Sequence, residues 1–238
     1  MELNPTRCPI CNTEDGSQEL FPANFDPTAL NPEKFSARRL PDRIHFRIVR
    51  CKLCKLVRSD PVADSKLLSE LYTRSDFTYM DQTQDLNTTY GRYLDRLEEH
   101  NGGKDRLLEI GCGNGFFLSQ ALKRGYREVR GVEPSTSAVA QAATDLQPHI
   151  VCDIMRPGLF APASFDVICL FQVFDHIPDP GALLDECHTL LKTDGHLLFI
   201  HHNIEAFSSR LLGRLSPIID LEHTFLYSPT TMAMLCEQ

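Results

Sequence analysis

The stretch Leu108-Glu109-Ile110-Gly111-Cys112-Gly113-Asn114-Gly115-Phe116 decides the fold of this chain, because it joins an apolar strand to a helix through three closely spaced glycines. Residues 106–110 predict a short buried strand, and the apolar residues after the glycines predict a helix. Glycines let the backbone turn sharply and let a ligand approach the main chain. In an open α/β sheet this position lies at the carboxyl ends of the strands, where small molecules bind.

The chain after residue 104 alternates between strands and helices. Further strands are predicted over 128–133, 149–152, 165–171 and 196–201, with helices over 135–145 and from Asp179 or Pro180 to Gly195. Upstream, we expect a half-buried strand over 43–48, a short helix over 64–72 and an amphipathic helix around 90–97 that stops near 101–103. This order predicts an α/β fold with a doubly wound, Rossmann-like parallel sheet.

The spacing of the glycines argues against a nicotinamide dinucleotide as the ligand. That fingerprint requires G-x-G-x-x-G, and the third glycine would fall at position 116, which is Phe116. The carboxylate of Glu109, two residues before Gly111, would also repel a pyrophosphate. It suits a ligand that carries an ammonium and a sulfonium.

The loop resembles the first motif, E-x-G-x-G-x-G, of class I S-adenosylmethionine-dependent methyltransferases. Residues 165–180 and 191–198 resemble later motifs of that family, with Thr193 and Asp194 replacing Pro and Gly in the latter. The resemblance implies that Glu133 accepts hydrogen bonds from both ribose hydroxyls and that Asp153 reaches the adenine amino group. The predicted cofactor-binding residues are Glu109, Gly111, Cys112, Gly113, Gly115, Glu133, Pro134, Asp153, Ile154, Phe171, Gln172 and His176.

Two C-x-x-C pairs near the start of the chain predict a structural zinc site. Four thiolates, from Cys8, Cys11, Cys51 and Cys54, satisfy a tetrahedral zinc ion and leave no open position. The chain has no signal-peptide pattern, which favours metal binding over disulfides. The 39 residues between the pairs exceed the usual spacing of zinc ribbons, which a longer inserted loop explains.

The tract 51–61, followed by Leu71 and Tyr72, resembles the N-terminal zinc module of a methyltransferase subgroup that includes sugar C-methyltransferases. We therefore expect three parts: a zinc-ribbon-like module over 1–60, a helical connector or lid over 61–103, and a methyltransferase domain over 104–238. The resemblance implies a small acceptor, sugar-like or nucleotide-linked. The family core continues with two more strands after the helix predicted to start at Ser228, so the C-terminal strands are expected to be missing from this sequence.

Candidate bases for the acceptor lie at strand ends. His201 and His202 close the fifth predicted strand, and Glu222-His223 lies in a segment that resembles E-H-x-x-x-[FY]-S of the subgroup. An imidazole suits proton removal near neutral pH. His223 could equally be a structural residue that packs a loop onto the sheet, and for His176 this structural role is favoured. A lid over the acceptor could contain Tyr72, Phe77 and Tyr79, which could also be plain core aromatics.

The charge pattern leaves two further hypotheses open. The net charge is −8, yet the window 34–58 holds nine Lys or Arg against one acid, Asp42, so this face is either solvated or a phosphate-binding patch. Alternatives to a small-molecule enzyme are an RNA or protein methyltransferase that uses the zinc module for recognition, and a scaffold without catalysis. Residues 171–174 lack the N-P-P-Y type segment of base N-methylases, which makes nucleic acid an improbable partner. No apolar run is long enough for a membrane span, so we expect a cytoplasmic protein; the oligomeric state is not predicted.

Overall fold

The structure, a computed structural model, describes residues 3–14, 16–24, 26, 43–74, 83–98 and 103–238. Its strands are β1 (Leu3–Asn4), β2 (Ser17–Phe21), β3 (Ile48–Cys51), β4 (Val57–Ser59), β5 (Val62–Ala63), β6 (Arg106–Ile110), β7 (Glu128–Val132), β8 (Ile150–Val151), β9 (Phe165–Phe171), β10 (Leu191–Ile200) and β11 (Phe225–Leu226). Its α-helices are α1 (Ser65–Thr73), α2 (Thr83–Glu98), α3 (Phe116–Lys123), α4 (Thr136–Ala140), α5 (Pro180–Leu190), α6 (Phe207–Leu212) and α7 (Pro229–Cys236).

The larger sheet is parallel, with the strand order β10-β9-β6-β7-β8. Strand β9 lies second from one edge and is buried on both faces, as its continuous apolar sequence predicts. The order places the ends of β6, β7 and β9 side by side, so the residues that follow these strands share one edge of the sheet. The predicted Rossmann-like parallel sheet is confirmed.

A second, antiparallel sheet has the order β11-β4-β3-β2, and β1 pairs with β5 beside it. Strand β11 comes from the far end of the chain, and its Phe225 lies opposite Arg58 of β4. Three of the predicted zinc ligands, Cys8, Cys51 and Cys54, belong to the same buried cluster as Phe225, Tyr227 and the core residues of β6 and β9. The two sheets therefore share one continuous apolar core.

Three predicted boundaries were wrong. Helix α5 ends at Leu190, not at Gly195, because Leu191 already has extended φ and ψ angles and pairs with Phe165 across a register shift. Helix α4 ends at Ala140 rather than near 145, since 3-10-type hydrogen bonds such as Ala142 N to Val139 O close its last turn. The strand expected over 43–48 begins only at Ile48, where the ladders to β2 and β4 start.

The other predicted helices are present, namely α1 with Asp64 as its N-cap, α2, and α7 with a capping box at Ser228. Within the described ranges, every helix is too short or too polar to cross a lipid bilayer. Several predicted features lie outside the described residues: Phe77 and Tyr79 of the lid, the glycine stop at 101–102, and the first part of the basic window, including Lys34, Arg38 and Arg39.

The shared core predicts that the two sheets unfold together. Replacing the buried Phe225 by Ala should lower the free energy of unfolding by about 3–5 kcal/mol, because it leaves a cavity between the sheets. Urea unfolding followed by circular dichroism measures this loss. Leu53→Ala serves as the control, since this side chain is 70% exposed and its loss should cost less than about 0.5 kcal/mol. Two separate transitions in the Phe225→Ala variant would contradict a shared core.

Candidate active site

The glycine loop is fixed by hydrogen bonds to the end of β7. The backbone N–H groups of Gly111 and Cys112 both donate to the carbonyl oxygen of Val132, at 2.8 and 3.2 Å. Gly111 has φ +75°, and a Cβ there would overlap the side chain of Val173, so only glycine fits. Because these two N–H groups already donate to the carbonyl oxygen of Val132, they are not available to a phosphate. This agrees with the spacing of the glycines, which argues against a dinucleotide.

Glu109 lies beneath this loop at the end of β6 and is only 2% exposed. Its Oε2 has no hydrogen-bond partner among the described residues. Burial, and then the nearby charge of Glu133, raises the pKa of the Glu109 carboxyl well above its ordinary value. A cationic ligand beside it would offset both effects.

Glu133 follows β7 and closes the loop from the other side. Its Oε2 accepts a hydrogen bond from the backbone N–H of Gly113 at 2.9 Å, and its Oε1 accepts one from the N–H of Ser135, also at 2.9 Å. Burial raises the pKa of this carboxyl, and the two N–H donors oppose the rise. Each oxygen keeps a second lone pair that could accept from a ligand hydroxyl.

A cavity of about 890 Å³ opens beside Glu109 and Glu133. It extends along the carboxyl ends of β6, β7 and β9 to the segment before β11. The predicted site residues that line it are Glu109, Gly111, Gly113, Glu133, Pro134, Ile154, Phe171, Gln172, His176, His202, Glu222 and His223. Twelve of the sixteen predicted cofactor-binding and catalytic residues therefore line this one cavity, together with further residues that were not predicted.

Four predicted site residues do not line this cavity. The side chain of Cys112 is buried in the core against Gly131, and Gly115 lies behind the loop near Ile150. The carboxylate of Asp153 pairs with Arg156 at 2.9 Å. His201 packs between the rings of Phe199 and Tyr227 instead.

At the far end of the cavity, three histidines surround one buried carboxylate. Asp175 follows β9 and is 1% exposed. Its Oδ2 accepts a hydrogen bond from Nδ1 of His202 at 2.9 Å and lies 3.5 Å from Nε2 of His223. Its Oδ1 lies 3.6 Å from Nε2 of His176. Asp175, His176, His202, Asp220 and His223 are called the histidine–carboxylate cluster below.

Both ring nitrogens of His223 are engaged within this cluster. Nδ1 lies 2.9 Å from Oδ1 of Asp220 and 3.0 Å from the carbonyl oxygen of Ile218. Asp220 also accepts hydrogen bonds from the backbone N–H groups of Glu222 and His223, which fixes this turn. Burial lowers the pKa of His223, but the charge and hydrogen bond of Asp220, followed by the charges of Asp175 and Glu222, raise it to about 9.

Burial and the same neighbouring charges also shift the pKa values of His176 and Asp175. Burial lowers the pKa of His176 to about 4, although the charge of Asp175 opposes this. For Asp175, burial raises the pKa, but the neighbouring histidines outweigh it and hold the pKa well below its ordinary value. His176 also shares a hydrogen bond between its Nδ1 and the hydroxyl of Tyr72, at 3.1 Å.

Sequence analysis missed the roles of Asp175 and Asp220. The pair Asp175-His176 directly after a predicted strand is a local signal that could have drawn attention. However, two of the histidines around Asp175 come from other parts of the chain. His202 lies 27 residues after Asp175 in the sequence, and His223 lies further on still. Only the folded chain brings these groups together.

The four predicted zinc ligands form a cysteine cluster, Cys8, Cys11, Cys51 and Cys54, whose sulfur atoms all lie within 4.8 Å of one another. The Sγ atoms of Cys8 and Cys54 are 3.5 Å apart, and those of Cys11 and Cys51 are 4.0 Å apart. Zinc–sulfur bonds of about 2.3 Å in a tetrahedron place sulfurs about 3.8 Å apart. The cluster therefore fits a zinc ion.

Two cations of the basic window contribute to the N-terminal sheet. Arg58 is fully buried and donates hydrogen bonds to Thr6 and to the carbonyl oxygen of Glu14. Arg47 forms an ion pair with Asp60 at 2.8 Å. The other described cations of the window are exposed, namely Arg43, Arg50, Lys52 and Lys55.

Curated relatives are similar to this chain over part of its length. A ubiquinone biosynthesis O-methyltransferase of Ralstonia nicotianae is 34% identical over 116 residues, which cover 45% of this chain and 48% of the relative. The protein of the same name from Neisseria meningitidis serogroup C is 27% identical over 168 residues, 65% of this chain and 70% of the relative. The chain thus spans only about half of the first of these relatives.

Solved structures share the fold. A SAM-dependent methyltransferase from Archaeoglobus fulgidus aligns with a TM-score of 0.52 and 20% identity, over 73% of each chain. A SAM-dependent methyltransferase of Leishmania major aligns with a TM-score of 0.52 and 17% identity, over 66% of this chain and 63% of that one. The model of a family described as "Methyltransferase domain" matches residues 82–238, which include the glycine loop, Glu133 and the histidine–carboxylate cluster. The chain belongs to this methyltransferase family.

Proposed function

We propose that the chain is an S-adenosylmethionine-dependent methyltransferase that acts on a small acceptor. The observation that carries the proposal is the pairing of the buried carboxylate of Glu109 with the partly buried carboxylate of Glu133 around a glycine loop. The backbone N–H groups of Gly111 and Cys112 in this loop are already used and cannot bind a phosphate. A ligand with a diol and a positive charge complements the two carboxylates, whereas the pyrophosphate of a dinucleotide would be repelled by them. When bound, S-adenosylmethionine supplies an activated methyl group.

The residues present fit this cofactor. Glu133 would accept hydrogen bonds from the ribose hydroxyls, because its carboxylate is already oriented by the N–H groups of Gly113 and Ser135. Glu109 would face the positive end of the ligand. Ile154 and Phe171 contribute apolar walls of the cavity, as expected for an adenosine group. Asp153 would have to leave Arg156 before it could reach an adenine.

The acceptor would occupy the end of the cavity that carries the histidine–carboxylate cluster. Among the predicted bases, His202 has the most suitable geometry. Its Nδ1 is held by the buried carboxylate of Asp175, and its partly exposed ring lines the cavity. A carboxylate in this position orients the imidazole and stabilises the imidazolium after proton uptake. His223 is less suited, because its Nδ1 is held by Asp220 and Ile218 while its Nε2 faces Asp175.

Two sources suggest the class of acceptor. The curated relatives carry the name O-methyltransferase, which supports transfer to a hydroxyl oxygen. The tract 51–61 and the segment 220–229 resemble the subgroup that includes sugar C-methyltransferases, which supports a sugar-like or nucleotide-linked acceptor. Transfer of a labelled methyl group to a panel of small hydroxyl-bearing compounds and of nucleotide-linked deoxysugars, with the methylated atom identified by NMR, separates these two classes. Methylation of tRNA or of a protein instead would contradict the small-acceptor proposal.

For the N-terminal part we propose a structural zinc ion held by the cysteine cluster, with the organisation 1–60, 61–103 and 104–238. The geometry of the four sulfur atoms supports this, since all lie within 4.8 Å of one another, near the spacing of a tetrahedral zinc–thiolate site. All four positions around the ion would be taken by sulfur, so the ion would not take part in the reaction.

Replacing Glu133 by Ala should weaken S-adenosylmethionine binding by about 1–3 kcal/mol, because two ribose hydroxyls lose a charged acceptor. Isothermal titration calorimetry measures the change. Glu128→Ala is the matched control, since Glu128 lies at the other end of β7 and pairs with Arg106 and Arg130. Equal affinities for the wild type and the Glu133→Ala variant would remove Glu133 from the cofactor site.

Replacing Cys51 by Ser should remove one equivalent of zinc and destabilise the whole chain. Structural zinc sites contribute about 10–16 kcal/mol of apparent binding free energy in small zinc-folded peptides, and this cluster belongs to the shared core. Elemental analysis and thermal unfolding measure the two effects. Cys236→Ser, at an exposed cysteine, should change neither. An unaltered zinc content in the Cys51→Ser variant would refute the site.

Replacing His202 by Ala should slow methyl transfer by about 10²- to 10⁴-fold at saturating cofactor, as expected for loss of a general base. S-adenosylmethionine affinity should be almost unchanged, because His202 lies at the acceptor end. His201→Ala is the neighbouring control, whose ring packs outside the cavity. If His202→Ala keeps the turnover of the wild type, His202 is not the base.

A further inference from the structure

The histidine–carboxylate cluster contains contacts that hydrogen bonding does not explain. Nε2 of His223 lies 3.5 Å from one oxygen of Asp175, and Nε2 of His176 lies 3.6 Å from the other. Both separations exceed the 2.7–3.2 Å of an ordinary N–H···O bond. The separation between Nε2 of His176 and Oδ1 of Asp175 matches instead the spacing between neighbouring ligands of a tetrahedral ion, about 3.3–3.6 Å for bonds of about 2.0–2.2 Å, with Oδ1 as the ligand oxygen. Nε2 of His223 approaches the same carboxylate from the side of its other oxygen.

The partners of His223 fix the orientation of its ring. Its Nδ1 faces a carboxylate oxygen of Asp220 and the carbonyl oxygen of Ile218, which can only accept hydrogen bonds. Nδ1 therefore carries a proton, and Nε2 faces the carboxylate of Asp175. This approach is favourable only with positive charge at Nε2, which is supplied either by a second ring proton or by a metal ion in its place.

His176 is held in the same manner. Its Nδ1 is hydrogen bonded to the hydroxyl of Tyr72, and its Nε2 is directed at Asp175. Metal-binding histidines usually have their second nitrogen fixed by a carboxylate, a carbonyl or another polar group, which orients the ring. Asp220 with Ile218 would do this for His223, and Tyr72 would do it for His176.

Asp175 supplies an independent observation. Its Oδ1 is buried and has no hydrogen-bond partner among the described residues, although the residue is 1% exposed. A buried carboxylate oxygen without a partner is costly. The ligand atoms of Asp175, His176 and His223 all lie within 4.8 Å of one another, so a single ion can reach all three.

We propose that Asp175, His176 and His223 bind a divalent first-row transition metal, with two imidazole nitrogens and one carboxylate oxygen as ligands. This ligand set suits zinc, iron, cobalt and similar ions more than magnesium or calcium. His176 and His223 line the cavity, so the remaining coordination positions face the acceptor end. The site is separate from the cysteine cluster, in which sulfur would fill every position.

The role of the ion in the reaction rests on the proposed function. An acceptor hydroxyl bound to the metal would be a stronger acid, because the ion stabilises the oxyanion. The O–H bond would break, its proton would pass to Nε2 of His202, and the electron pair would stay on the metal-bound oxygen. Nδ1 of His202 would meanwhile keep its hydrogen bond to the second oxygen of Asp175.

Metal binding is tested without cofactor or acceptor, so its failure leaves the methyltransferase proposal untouched. Untagged, metal-free full-length protein is titrated with Co²⁺ and followed by absorption, and bound Zn²⁺ is counted by elemental analysis after dialysis. We expect two equivalents per chain. One should give the intense thiolate-to-cobalt charge-transfer band of the cysteine cluster, and the other only the weaker visible bands of a nitrogen and oxygen site.

His176→Gln and Asp175→Asn should each lose the second equivalent and keep the first. His201→Gln, a neighbouring histidine outside the cavity, should keep both. Because Asp175→Asn could disturb a buried site, the circular dichroism spectrum of His176→Gln must match that of the wild type. Absence of the nitrogen and oxygen bands from the wild type, or their persistence in a folded His176→Gln variant, would overturn the proposal.

Discussion

The position of the segment 223–227 is the constraint on which both halves of the molecule depend. The N–H of Thr224 donates to the carbonyl oxygen of Asp175, and the carbonyl oxygen of Thr224 accepts from the N–H of Ser59. The hydroxyl of Ser59 also donates to the carbonyl oxygen of His223. One short piece of backbone is thus held between β4 of the N-terminal sheet and the turn after β9. It delivers His223 to the cavity and Phe225 to the core.

Carboxylates line both ends of the cavity, but the groups that surround them differ between the two ends. Beside the glycine loop, Glu109 and Glu133 lie near each other without a cation among the described residues, and burial raises the pKa of both. In the histidine–carboxylate cluster, Asp175 and Asp220 are surrounded by histidines that lower their pKa values. The first arrangement suits a ligand that brings its own positive charge. The second suits a site where protons or a metal ion are exchanged.

The features that could be predicted from sequence are local ones. The strand, glycine loop and helix around Gly111 are encoded within a dozen residues, and the paired C-x-x-C motifs identify the cysteine cluster by spacing alone. The end of α5 was misjudged because the ladder to β9 takes Leu191 out of the helix, and this depends on a partner strand. The histidine–carboxylate cluster could not be predicted, since Asp175, His202 and His223 become neighbours only after three loops converge.

The pairing of β11 with β4 has a consequence for how such a protein can change over evolutionary time. In many enzymes an appended module can be exchanged without disturbing the chemistry, because a flexible linker insulates one from the other. Here the N-terminal sheet takes a strand from the same segment that positions His223 in the cavity. Replacing the N-terminal sheet by a different one would therefore change the part of the cavity around His223 while leaving the glycine loop intact. Changes in the N-terminal sheet and changes in that part of the cavity should be inherited together among proteins built this way.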